Sequence, residues 1–253
     1  MRDPRSILIT GASSGIGAAL ARLYAAKGVA LTLGGRDAGR LAKVAADCRS
    51  AGAEVREAIV DVTNLAAMEG WVAEADRLRP VDLVIANAGI SAGTADGEEG
   101  AEQLRAVFAV NVDGAFNTVL PLLPAMRQRR RGQIALMSSL ASFRGFPGAP
   151  AYSASKAALR VWGEGLRGDL HRTGITVSVI CPGFVASPMT SDNPFPMPML
   201  MPVEQAARII RRGLAKDRAR IAFPLPMYAA AWLLGALPPA LTDSWMRRLP
   251  KKR

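Results

Sequence analysis

Along this chain, short continuous apolar runs alternate with longer stretches in which apolar residues return at helical spacing. Ile7, Leu8 and Ile9 form the first run, and after a glycine-rich turn Ile16, Leu20, Leu23 and Tyr24 recur on one helical face. Residues 29–33 read as a second strand, with a helical stretch over 38–49 behind it. A third strand over 53–60 leads to a helix that Thr63 or Asn64 caps and that runs through Leu78. Residues 81–86, 132–137 and 175–180 predict a fourth, fifth and sixth strand, and 220–223 a short last one. Residues 91–100 are polar and glycine-rich, a loop; 101–126 carry apolar positions suited to one long helix, whose end Pro121 and Pro124 perturb. Further helices begin near Ala151 and Val203. Apolar runs this short and continuous suit buried parallel strands, and the strand–helix–strand order predicts right-handed crossovers.

Composition narrows the class. A chain of 253 residues, half of them hydrophobic and 21% charged, can bury one large α/β core and is not mainly disordered. Cys48, Cys181 and the single histidine, His171, are too few and too isolated for a disulfide framework or a zinc site, so a reducing cytoplasm and no metal are expected. No apolar leader precedes the first strand, and no secretory signal is expected. The balance of 32 basic and 21 acidic residues gives a charge of +11. Basic clusters fall at 127–131, 208–220 and 247–253, yet no aromatic residues interleave with them as a base-stacking surface requires, so nucleic acid is not expected as a partner.

Candidate chemistry sits at the strand ends. Gly11, Gly15 and Gly17 let the backbone turn sharply between strand and helix and aim the first helical amides at an anion, a phosphate cradle. Their spacing departs from the Gly-x-Gly-x-x-Gly fingerprint and lacks the Lys-Ser/Thr ending of a P-loop. After the second strand, Arg36 is placed to pair with a ribose 2′-phosphate, which favours NADP(H) over NAD(H); in the alternative, Arg36 only begins the next helix and Asp37 takes the ribose. Asp61 either accepts from an adenine amino group or caps its turn. Asn87, Ala88 and Gly89 let the chain pass close to a ligand, and Asn111 inside an apolar helix needs partners for its amide. Tyr152 and Lys156 are one helical turn apart, where an ammonium would favour the phenolate and lower the phenol's pKa.

In order and spacing, Thr10-Gly11-Ala12-Ser13-Ser14-Gly15-Ile16-Gly17, Asn87-Ala88-Gly89, Asn111, Ser139, Tyr152-x-x-x-Lys156 and Pro182-Gly183 resemble the short-chain dehydrogenase/reductase family over about residues 5 to 222. The resemblance implies a doubly wound Rossmann-type sheet of about seven parallel strands flanked by helices. It implies that Tyr152 is the general acid or base, that Ser139 polarises the substrate carbonyl, that Lys156 holds the nicotinamide ribose, and that Asn111 positions a water linking Lys156 to solvent. Gly11, Ser13, Ser14, Gly15, Ile16, Gly17, Arg36, Asp61, Val62, Asn87, Ala88, Gly89, Tyr152, Lys156, Pro182, Gly183, Val185 and Ser187 would bind the cofactor. The family's spacing of serine to tyrosine selects Ser139 rather than Ser138. Two positions depart from the family pattern: Ala86 replaces a frequent asparagine, and Ser187 replaces the common threonine while keeping its hydroxyl.

Residues 188–202, the family's substrate-covering lid, are apolar and rich in methionine here, which points to a lipophilic carbonyl or alcohol and to lipid metabolism. Residues 1–224 would form the dinucleotide domain and 225–253 an apolar, basic extension. Residues 221–241 carry no charge, but their prolines leave only 227–237 uninterrupted. That stretch spans about 16 Å as a helix, half a bilayer core, so it suits a peripheral hold on the inner face of a membrane, a cover for the pocket or a subunit contact. Self-association into a homodimer or homotetramer is expected through the helices at 101–126 and 152–172. The competing functional readings are a cofactor-sensing binding protein and a peripheral membrane module. The first leaves the joint presence of Asn111, Ser139, Tyr152 and Lys156 without a chemical need; vesicle flotation with and without residues 225–253 would decide the second.

Overall fold

The computed structural model describes residues 3–94, 98–191, 193 and 195–248. Parts of the expected loop (95–97) and lid (192 and 194) and the basic residues Lys251, Lys252 and Arg253 lie outside them.

The apolar runs become the strands β1 (Ser6–Thr10), β2 (Ala30–Gly35), β3 (Glu54–Ile59), β4 (Leu83–Ala86), β5 (Gly132–Met137), β6 (Ile175–Pro182) and β7 (Arg220–Phe223). They pair in parallel in the order β3-β2-β1-β4-β5-β6-β7, so the winding reverses between β1 and β4. Ile7 and Ile9 of β1 enter one core while Leu8 enters the other, and Leu83 and Ile85 part from Val84 and Ala86 in the same way on β4. Alternate side chains thus meet apolar layers on opposite faces, which is why these runs are apolar without interruption. On edge strand β3 the rule lapses: Ile59 is 58% exposed.

One layer contains α1 (Gly15–Tyr24), α2 (Ala38–Ser50) and α9 (Val203–Ala215); the other contains α3 (Leu65–Leu78), α5 (Gly114–Val119), α6 (Leu123–Gln128) and α7 (Pro150–Leu170). Asn64, not Thr63, caps α3, accepting from the Ala67 amide at 3.1 Å. The long helix expected over 101–126 is continuous but uneven. It runs as α4 (Ala101–Phe108), a π turn (Ala109–Asp113), α5, a tight turn at Leu120–Leu122 and α6, with Pro121 and Pro124 in the last two segments. By length and composition Ala101–Gln128 could cross a membrane, but it packs against α3 and α7 beside the sheet. A short helix α8 (Pro188–Ser191) precedes α9, and α10 (Leu225–Ala236) and α11 (Pro239–Met246) follow β7. Ala231, Met227 and Tyr228 of α10 pack on Leu140, Val179 and Cys181, so this part of the extension lies on the body of the protein.

Candidate active site

The reversal between β1 and β4 opens a crevice at the carboxyl ends of the strands. There a cleft of about 660 Å³ runs from Arg36 to Tyr152 and Met189. Of the residues the sequence singles out, Gly17 and Asn111 stand behind this cleft and all the others line it. Asn87 clamps the crevice by donating to the carbonyls of Thr10 (3.0 Å) and Gly11 (3.1 Å).

The turn after β1 needs its glycines. Gly11 and Gly15 have φ of +65° and +52°, the left-handed region that side chains disfavour. A Cβ on Gly17 would lie 2.3 Å from the Gly11 carbonyl oxygen. Ser14, the N-cap of α1, makes no side-chain capping bond, which leaves the first amides of α1 for an anion. The donor set and the space fit a dinucleotide pyrophosphate.

At the far end, Asp37 is occupied as the N-cap of α2: it accepts from the Arg40 amide at 2.9 Å and pairs with the Arg40 guanidinium at 2.8 Å. These interactions hold its carboxyl below the usual range, the Arg40 amide bond most of all. Arg36 is exposed, makes no hydrogen bond among the described residues, and faces the cleft beside Arg40. Asp61 caps its own turn, accepting from the Thr63 amide (2.9 Å) and hydroxyl (2.8 Å). Those bonds, and more weakly Arg36, lower its pKa.

The reactive end is assembled from β5 and α7. Ser139 follows β5; its Oγ accepts from the Ala141 amide at 3.1 Å and donates to the Pro182 carbonyl at 3.5 Å, in the same cleft as Tyr152. Ser138 plays a different part, donating to the Lys156 carbonyl at 2.7 Å. Lys156 is 3% exposed, donates to the Met137 carbonyl at 2.9 Å, and lies 5.8 Å from the Tyr152 ring centre. Burial lowers its pKa from 10.5 to about 8. Tyr152 departs from the sequence expectation: burial raises the phenol's pKa, and the nearby Ser139 hydroxyl offsets this only in part. With the lysine at ring-centre distance, desolvation of the phenolate outweighs any pull from the ammonium. The phenol therefore keeps its proton near neutral pH in this state.

Asn111 occupies the π turn and satisfies its amide fully. Its Oδ1 accepts from the Ile90 amide (2.8 Å), and its Nδ2 donates to the Ile90 carbonyl (3.0 Å) and to Ser155 Oγ (2.9 Å). It ties the segment after β4 to α7. The apolar lid is only partly a cover: Met189 and Thr190 line the cleft, whereas Met201 is buried in the core and Met199 and Leu200 face solvent. Three contributors escaped the sequence reading. Arg40 lies in the first turn of α2, three residues after its N-cap Asp37, and lines the same cleft as Arg36. Ser155 is the neighbour of Lys156. Glu99, from a polar loop with no distinguishing pattern, accepts from the Ala151 amide at 2.9 and 3.2 Å and so caps the helix that carries Tyr152. Among the described residues no group of three or more His, Cys, Asp or Glu is arranged to hold a metal ion.

Comparison with known proteins bears on this geometry. Residues 5–195 match the family described as short chain dehydrogenase. An uncharacterized oxidoreductase of Myxococcus xanthus is 40% identical over 249 residues, covering 97% of both chains. A ketoacyl reductase of Nostoc sp. is 33% identical over 198 residues, covering 78% of this chain and 69% of its own. Two solved structures superpose closely. A short-chain dehydrogenase from Sphingobium yanoikuyae in complex with NADPH has a TM-score of 0.82, 26% identity and coverage of 98% of this chain and 97% of its own. A short chain dehydrogenase/reductase from Burkholderia phymatum in complex with NAD has a TM-score of 0.84, 27% identity and coverage of 100% and 98%.

Proposed function

This chain belongs to the short chain dehydrogenase family, and on that premise we propose that it interconverts a carbonyl and a secondary alcohol on a lipophilic substrate, using NADP(H). The observation that carries the reading is that Ser139, Tyr152 and Lys156 line the same cleft as the glycine turn. When bound, the dinucleotide supplies or accepts the hydride.

Everything else falls to the chain's own groups. A substrate oxygen between Ser139 and Tyr152 would accept two hydrogen bonds that strengthen as negative charge develops on it. Tyr152 would then give up its phenolic proton, or take one in the reverse direction. Lys156 has one N–H engaged at Met137 and two left for ligand hydroxyls, and its charge would stabilise the phenolate as it forms. Asn111 is a positioning residue that holds the segment after β4 against the helix of Tyr152 and Lys156; the water it is expected to place belongs to the same proposal.

NADP(H) rather than NAD(H) is supported by Arg36 and Arg40 side by side where Asp37 is already engaged. The similar structures bind NADPH in one case and NAD in another, so local charge, not the fold, carries this choice. A ketone-bearing substrate is supported by the ketoacyl reductase of Nostoc sp.. Its lipophilic character is supported by Met189, Ile90 and Val110 along the cleft, and lipid metabolism is the setting proposed with it. We assign catalysis to residues 1–224, cytoplasmic residence, and self-association through α4 to α7, where Leu104, Leu120 and Val161 are 43, 49 and 59% exposed.

Replacing Tyr152 by Phe tests the reaction. Turnover of a hydrophobic ketone should fall by about 10²–10⁴ while NADPH binding, followed by its fluorescence, stays within about twofold. A near-normal rate would remove Tyr152 from the mechanism.

A further inference from the structure

The two helices after β7 bury one side and leave the other bare. Ala231 of α10 and Thr242 and Met246 of α11 point inward, and Arg144 fastens α11 by donating to Thr242 Oγ1 at 3.0 Å and Asp243 Oδ1 at 3.4 Å. Outward stand Leu225, Trp232 and Leu233 on α10 and Leu241 and Trp245 on α11, each more than half exposed. On α11, Leu241 and Trp245 stand one turn apart, and two cations, Arg247 and Arg248, follow at and just past its end. Single exposed apolar side chains are ordinary, but five on two consecutive helices are a surface that expects cover.

The charges around this surface have one sign left over. Beneath Trp232 a cleft of about 200 Å³ is lined by Phe143, Arg160, Arg220 and Gly235. The guanidiniums of Arg160 and Arg220 lie 4.8 and 5.1 Å from the Phe143 ring centre and share a single carboxylate, Glu164. Arg160 Nε is buried with no hydrogen-bond partner among the described residues. Asp243, the acidic residue of α11, is already paired with Arg144, while Arg247 and Arg248 are exposed just beyond. The sequence then continues with Lys251, Lys252 and Arg253.

We propose that the outer face of α10 and α11 docks on an anionic phospholipid surface, with Trp232, Leu233, Leu241 and Trp245 at the acyl boundary and the Arg160–Arg220 cleft and Arg247–Arg248 against headgroup phosphates. Apolar side chains bordered by arginines that outnumber their carboxylate partners are the chemistry of an interfacial contact. A second copy of the chain is the weaker occupant, because a two-fold interface would set the same cationic rim against itself. Docking is independent of the reaction proposed above. It would leave the cleft near the lipid, since Met227 of α10 lies against the Gly183 turn, 3.3 Å from where a Cβ would stand there.

The test uses the full chain and vesicles of phosphatidylcholine alone or mixed equally with phosphatidylglycerol. The protein should sediment with the mixed vesicles at low salt, be released at high salt, and leave the neutral ones largely free. The double variant L233E/L241E, altered only at exposed positions, should lose at least about tenfold in partition, equal to about 1.4 kcal/mol. It should keep its oligomeric state and its NADPH binding, which separates lost docking from lost folding. The blue shift of tryptophan emission on vesicle addition should vanish in W232F/W245F. Failure to bind anionic vesicles at low salt, equal binding to neutral ones, or undiminished binding by L233E/L241E would each overturn the proposal. So would an oligomer that this double variant splits, which would make a second copy the occupant.

Discussion

Lys156 offers a measurement governed chiefly by burial, which outweighs the opposing pull of the nearby Cys181. Its ammonium is 3% exposed with one acceptor, Met137 O, and its pKa falls from 10.5 to about 8. The unfolded chain therefore binds more protons than the folded one between those two values. Stability contributed by this group must rise with pH across that interval and stay constant below it. A shift of this size corresponds to about 3 kcal/mol at 1.36 kcal/mol per unit, a penalty fully present near neutral pH and relieved when the lysine is neutral. Lys156→Met keeps the length and removes the charge. Urea unfolding of both proteins from about pH 7 to pH 10.5, taken as the difference between them, cancels titrations common to both. The wild type should gain about 3 kcal/mol on the variant over this range. A flat difference would mean that the lysine keeps its solution pKa. A falling one would mean that the fold prefers the ammonium. Either result refutes the claim that desolvation dominates this site.

Two further outcomes follow from particular contacts. Arg36→Asp should weaken NADPH binding at least about tenfold more than NADH binding in titrations of each, since it replaces a phosphate partner by a like charge; equal losses would mean that Arg36 does not meet the phosphate. Asn111→Ala removes three hydrogen bonds and leaves the Ile90 amide and Ser155 short of partners, so thermal unfolding should report a loss of about 2–4 kcal/mol. A loss below about 0.5 kcal/mol would show that water replaces the amide at no cost.

The strands were legible because their chemistry is local. A parallel strand covered on both faces must be apolar throughout, and Ile7-Leu8-Ile9 carries that requirement in three consecutive letters. The glycine turn was legible for the same reason: a left-handed φ at Gly11 and Gly15 restricts which residue can stand there. Where requirements compete, spacing was not enough. Tyr152 and Lys156 are one turn apart in any helix, yet whether the phenol's pKa rises or falls depends on how much solvent the folded chain leaves beside it, and burial won.

Sequence by itself thus determined the α/β pattern, the family resemblance and the identity of the candidate chemical groups, because these rest on backbone geometry and on neighbours a few residues away. Only the tertiary structure decided that Asp37 is spent as a helix cap, that Glu99 caps the helix of Tyr152, and that Met201 faces inward while Met199 faces water. It also decided that two arginines share one carboxylate under a bare apolar helix. Each of these depends on which distant segments meet and on how much water their meeting expels, and neither quantity is carried by the spacing of residues along a chain.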